Sequence, residues 1–162
     1  MTELKMVVTD LDGTLLQSDH SISNEDLETL NLLGKLGICR VAATGRNLFK
    51  VRRALSPSDP FDYVICSSGA GIVDWQTQEI ISAINFPEEL TAQLIEYLIG
   101  NGYNFKVSDC FPDNHNFFWW KKSECPEMDR YVETHSKMGK AAVIVPGNKY
   151  SSSQLLLFFP KK

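Results

Sequence analysis

The chain has 162 residues, of which 43% are hydrophobic and 22% charged, with a net charge of −4. That length suffices for one ordinary domain or two small lobes, and the acidic balance argues against nucleic acid as a partner, because a phosphate-tracking surface needs an excess of Lys and Arg. No apolar stretch reaches membrane-spanning length, residues 1–5 lack the basic-then-apolar pattern of a secretory signal, and Cys39, Cys66, Cys110 and Cys125 show neither a CxxC metal spacing nor a dense disulfide pattern. The expectation is a cytoplasmic protein with reduced thiols and no membrane contact.

The first element is an apolar strand that runs through Val7 and Val8 into Asp10-Leu11-Asp12-Gly13-Thr14. Residues two apart on an extended chain point the same way, so Asp10 and Asp12 are expected to face one volume at the strand's carboxyl end. Open α/β sheets bind their ligands at that end. Gly13 permits a sharp turn, and Thr14 adds a hydroxyl. Paired carboxylates on a rigid strand can hold a hard cation or attack an electrophile; an Asp pair that merely caps a turn is the plainer alternative.

Ser23 with Asp26 three residues on forms a capping pair, and Leu27, Leu30, Leu33 and Leu36 mark the apolar face of a helix that Gly37 stops. Residues 38–43 are an apolar run broken only by Arg40, as expected of a strand covered on both faces. It ends in Thr44-Gly45-Arg46, a hydroxyl and a glycine at a strand-to-helix turn, which presents amides to an anion. Arg46 reads as an anion contact or as a surface arginine. Leu48, Val51 and Leu55 form a short helix, residues 63–66 a third strand closing in Ser67-Ser68-Gly69-Ala70, and residues 71–74 and 79–84 a hairpin around 75–78.

Composition and period change at Asn85-Phe86-Pro87. Leu90, Leu94, Ile95 and Leu98 mark a helix, residues 103–107 and 116–120 two strands, Met128 through Met138 a second helix, and residues 154–159 a last strand. Pro112, Asp113 and Asn114 are turn formers. His20, His115 and His135 share no ligand spacing and read as loop or surface residues, with His135 partly packed. Phe117-Phe118-Trp119-Trp120 read as strand packing, and Lys140, Lys149, Lys161 and Lys162 as solvated.

Asp10-Leu11-Asp12-Gly13-Thr14 resembles the first motif of the haloacid dehalogenase superfamily, mostly Mg²⁺-dependent phosphohydrolases, and Thr44-Gly45-Arg46 resembles its second. The resemblance implies that Asp10 attacks phosphorus to form an aspartyl-phosphate, and that Asp12 protonates the leaving group and then activates water. Thr44 and the Gly45 amide would grip the phosphoryl group, with Arg46 and Thr14 as further substrate contacts. Mg²⁺ would sit on Asp10 and on the Asp12 carbonyl. Ser68 stands where related sequences often carry Asn.

The alternation after residue 84 resembles the α/β cap of the Cof-like, type IIB branch. The implied fold class is α/β: a partial Rossmannoid core of three parallel strands plus a β-hairpin over residues 1–84, followed by an incomplete type IIB cap over residues 85–162. The implied substrate is a small phosphorylated metabolite, such as a sugar phosphate. The superfamily's third motif, with a lysine, and fourth, with acidic Mg²⁺ ligands, are not seen, so the resemblance implies a truncated chain with impaired activity. The first strand would then lack a partner on one side, and a homo-oligomer covering that sheet edge is one remedy. A catalytically inactive binding or interaction protein, or a subunit completed in trans, are the alternatives.

Overall fold

Two stretches of different periodicity fold into two compact units, one reaching Ala83 and the other starting at Ile84. The structure, a computed structural model, describes residues 3–159. In the first unit β1 (Met6–Asp10), β2 (Cys39–Ala43) and β3 (Tyr63–Cys66) pair in parallel, and β4 (Gly71–Asp74) and β5 (Ile80–Ala83) continue the sheet antiparallel, in the order β1-β2-β3-β4-β5. This is the α/β sheet expected from the sequence.

Helix α1 (Asn24–Lys35) connects β1 to β2, and its start is chemical: the Ser23 side chain accepts the Asp26 amide at 3.0 Å. Its end needs Gly37, whose φ of +73° lets the Ile38 amide reach back to the Leu33 carbonyl at 3.0 Å. Leu30 is buried, whereas Leu36, expected on the same face, caps the helix and is 66% exposed. Helix α2 (Leu48–Ala54) connects β2 to β3 and buries Leu48 and Val51, with Leu55 just beyond it also buried. The turn after β4 is not an open hairpin tip: Trp75 is fully buried there, and its indole N–H donates to the Ser56 carbonyl at 2.9 Å.

Arg40, the one charge in β2, has a structural reason. Its guanidinium and its own amide donate to Asp62 at 2.7 to 3.0 Å, so both charges are satisfied beneath α1. A Cβ added at Gly34 of α1 would fall on that guanidinium, so a glycine lets the helix close over the pair. Strand β1 pairs with β2 alone among the described residues, and Met6 and Val8 on it and Leu4 just before it are each more than half exposed.

The second unit is a four-stranded sheet in the order β8-β7-β6-β9, built from β6 (Asn104–Ser108), β7 (Phe117–Trp120), β8 (Ala141–Val143) and β9 (Gln154–Phe158). Helix α3 (Glu88–Gly100) packs Ile95 and Leu98 against Phe105 and Val107. Helix α4 (Pro126–His135) sets Tyr131 edge-on to Phe117 and Phe158 and stacks it on His135 at 3.8 Å. It ends before Met138, which was expected within it. The three-residue β8 lies parallel to β7 and is too short to show a period in sequence. Lys106 is buried at the centre of the sheet. Its ammonium donates to the Ser108 hydroxyl and lies 5.6 Å from the Tyr131 ring centre and 6.0 Å from that of Phe117.

The Arg40 contacts hold the Asp62 carboxyl below the usual carboxylate range, the hydrogen bonds being the main cause. A carboxyl whose pKa is lower folded than unfolded adds stability at neutral pH that is lost as pH falls through the lowered value. Asp62→Asn is therefore expected to cost about 1.5 to 3 kcal/mol at pH 7. The deficit should shrink below about pH 4, where the unmodified chain loses the same contribution; urea unfolding at pH 7 and pH 3 measures both.

Candidate active site

Parallel pairing sets Asp10 opposite Ala43, so the carboxyl end of β1 lies beside the residue that precedes Thr44. Strand β1 stops at Asp10, and Asp12 therefore stands on the following turn, not two places along the strand as expected. Buried Leu11 anchors that turn: its carbonyl accepts the Leu16 amide at 2.8 Å and the Thr14 amide at 3.4 Å. Gly13 makes the reversal at φ +74°. The Asp10 carboxylate is exposed and accepts a long bond of 3.4 Å from the Thr14 hydroxyl.

Thr44 is buried, and its hydroxyl oxygen accepts the Arg46 amide at 3.1 Å, which leaves the O–H to donate outward. The turn is braced from behind by the third loop. Ser68 donates its amide to the Thr44 carbonyl at 3.2 Å, and Ser67 to that of Arg46 at 2.8 Å. Ser67 and Ser68 both adopt left-handed backbone, at φ +52° and +56°, a conformation that costs a residue with a Cβ about 1–2 kcal/mol. A tight turn of this kind is where such strain is retained near function. Gly45 is exposed. Helix α2 has only seven residues, and its first turn is capped by the Asn47 side chain on the Lys50 amide. The short helix thus has its Lys50 amide already satisfied by its own cap.

The two turns are joined by an ion pair. Arg46 donates from Nε to both Asp12 oxygens at 2.9 and 3.1 Å and from Nη2 at 2.5 Å. The hydrogen bonds from Arg46 hold the Asp12 carboxyl below the usual range, with smaller help from the charges of His20 and Lys50. Two residues missed in the sequence thus belong here. His20 lies with Nδ1 3.3 Å from Arg46 Nη2. Lys50, half-buried on α2, has its ammonium held below the usual range by that burial and then by Arg46. Lys50 lies in the first turn of α2, three residues beyond the Asn47 cap, whereas nothing local marks His20.

Asp10 at the end of β1, Asp12 and Thr14 on the turn after it, and Thr44, Gly45 and Arg46 on the turn after β2 all lie at this end of the sheet. Among the described residues no three His, Cys, Asp or Glu side chains converge as a metal cage, and the Asp12 carboxylate is engaged by Arg46.

The β1 carboxyl end, with its exposed carboxylate, lies beside the Thr-Gly-Arg turn on a parallel sheet. The family model described as haloacid dehalogenase-like hydrolase matches residues 7–149, and the chain belongs to that family. It is 30% identical over 104 residues to the HMP-PP phosphatase of Yersinia pestis (strain Pestoides F), covering 64% of this chain and 36% of that protein. It is also 30% identical over 112 residues to the 5-amino-6-(5-phospho-D-ribitylamino)uracil phosphatase YwtE of Bacillus subtilis (strain 168), covering 69% of this chain and 37% of that one. The fold is similar to that of the subclass IIB sugar phosphatase BT4131, with a TM-score of 0.59, 20% identity, and coverage of 86% of this chain and 52% of the other. The chain thus spans little more than a third of the curated relatives and about half of that structure.

Replacing Arg46 tests the ion pair. In Arg46→Leu the Asp12 carboxyl is expected to return upward toward the ordinary value of about 4, which carbon-detected NMR titration reads directly. Asp12 is half exposed, so the accompanying stability loss at neutral pH should not exceed about 1 kcal/mol.

Proposed function

We propose that this chain carries the nucleophile and the phosphoryl grip of a phosphohydrolase acting on a small phosphorylated metabolite in the cytoplasm. The observation that carries the reading is the Asp12–Arg46 ion pair, which ties the turn after β1 to the turn after β2 with the Asp10 carboxylate left exposed. Names of relatives support the substrate class, since they act on HMP-PP, on a phosphoribitylamino-uracil and on sugar phosphates. Four free cysteines fit a reducing compartment.

In this reading an Asp10 oxygen attacks phosphorus as the bond to the ester oxygen breaks, giving an aspartyl-phosphate and an alkoxide that takes a proton from Asp12. Water then attacks phosphorus, its proton passes to Asp12, and Asp10 is released with inorganic phosphate. With Arg46 on it, Asp12 is held ionised, the form suited to the second half. Delivery of its proton in the first half requires Arg46 to move onto the phosphoryl oxygens, which lets the Asp12 pKa rise. Thr44 donates its O–H and Gly45 its amide to those oxygens, and the Thr14 hydroxyl orients Asp10.

Asp10, exposed and carrying only a long hydrogen bond, fits a Mg²⁺ that keeps most of its waters and shares one or two carboxylates with substrate phosphate. The Asp12 carbonyl would be the second ligand. The ion would offset the repulsion between a carboxylate and a phosphate dianion.

The second unit is the cap in this proposal, with the boundary near residue 84. It holds a cavity of about 660 Å³ lined by Asp109, Phe111, Phe118, Lys149 and Tyr150 among others, a size that takes a small metabolite. A second reading, a subunit completed in trans by another chain or covered at its sheet edge by a further copy, is favoured by the edge position of β1, with Met6 and Val8 exposed on it. A strict monomer by light scattering counts against that reading.

With Mg²⁺ the chain is expected to hydrolyse p-nitrophenyl phosphate slowly, and Asp10→Asn should reduce that rate by at least about three orders of magnitude. Hydrolysis that survives the substitution removes Asp10 as nucleophile and with it the proposed mechanism.

A further inference from the structure

We propose that His20 is a positioning residue of this site, whose neutral imidazole accepts an Arg46 N–H at Nδ1 and so holds the guanidinium on the Asp12 carboxylate; the proposal rests on the phosphohydrolase reading. The contact is 3.3 Å, between Arg46 Nη2 and His20 Nδ1, and the same Nη2 donates to Asp12. Arginine has donors only, so the imidazole nitrogen facing it must carry the lone pair.

The backbone around His20 is built to deliver that ring. Gln17 and Ser21 close a tight reversal, with the Gln17 amide on the Ser21 carbonyl and the His20 amide on the Gln17 carbonyl, both at 2.9 Å. Asp19 locks it by accepting the Ser21 amide at 3.0 Å and hydroxyl at 2.6 Å. His20 takes the left-handed position at φ +67°. Histidine is among the residues that tolerate this position, and its ring there reaches Arg46.

Protonating the ring at Nδ1 removes the acceptor and sets a second positive charge against Arg46. Histidine is the side chain whose charge changes between pH 5 and 8. The charged groups around the ring are Asp12 and Arg46 across the turn, Asp19 beside it, and Lys50 on α2 near Asp12. Arg46 released in this way is free to move onto a phosphoryl group. His20 thus sets how readily Arg46 leaves Asp12, the exchange that the first chemical step requires.

The test is NMR of the full chain, following the Arg46 Nε–H signal and the His20 ring from pH 5 to 8. The Arg46 signal should move with the same midpoint as the ring. His20→Gln, whose amide oxygen can accept but does not titrate, should hold the signal at its high-pH position throughout, and His20→Leu should leave it displaced at every pH. An Arg46 signal that stays still while His20 titrates, or that still moves in His20→Gln, overturns the proposal. No turnover is needed, so the two readings fail separately. A lost Arg46 link with Asp10-dependent hydrolysis retained overturns the role of His20 alone. An intact link with no Asp10-dependent hydrolysis supports the link and removes the phosphohydrolase reading beneath it.

Discussion

Parallel hydrogen bonding between β1 and β2, in a register that sets Asp10 against Ala43, brings two segments more than thirty residues apart to one end of one sheet. A shift of one residue would turn every side chain of β1 to the opposite face and carry Asp10 away from the Thr44 turn. The register is held by burial, because Val41 and Ala42 of β2 are packed between layers and cannot slide without exposing apolar surface. Each turn then has its own support. Leu11 anchors the first, and the strained serines of the third loop brace the second. The Asp12–Arg46 pair is consequently a contact between two separately fixed turns, which limits the side-chain entropy lost in forming it.

Charge at this end is arranged in alternation: two carboxylates, a guanidinium, an ammonium and an imidazole. In the proposed mechanism Arg46 would serve either Asp12 or an incoming anion, and Asp12 would be a base while Arg46 holds it and an acid once Arg46 departs. A single movable cation would thereby give one carboxylate both roles at one pH. Among the described residues the sheet that holds these groups has β1 at its edge, an exposed strand edge that proteins ordinarily pair or cover. Met6 and Val8 on that strand and Leu4 just before it lie open, each able to contribute about 1.5–3 kcal/mol on full burial. The family relatives are two to three times as long as the matched region.

Most elements could be read directly because their signals are local. Ser23 caps α1 through a bond three residues away, Gly37 ends it by tolerating a positive φ, and Leu48 with Val51 buries α2 at helical spacing. Leu36 was misplaced because helical spacing says nothing of where the helix frays. Strand β8 was missed because three residues carry no period, and Trp75 was read as a turn residue because its burial depends on Ser56, nineteen residues earlier.

The sequence by itself determined the two motifs, most of the strands and helices with β8 excepted, and the family, since each rests on chemistry within a few residues. Tertiary structure alone decided which charges meet. Arg40 finds Asp62 across 22 positions, His20 finds Arg46 across 26, and Arg46 finds Asp12 across 34. Those pairings follow from strand register and turn direction, which the packing of the whole sheet selects, and no local pattern encodes them.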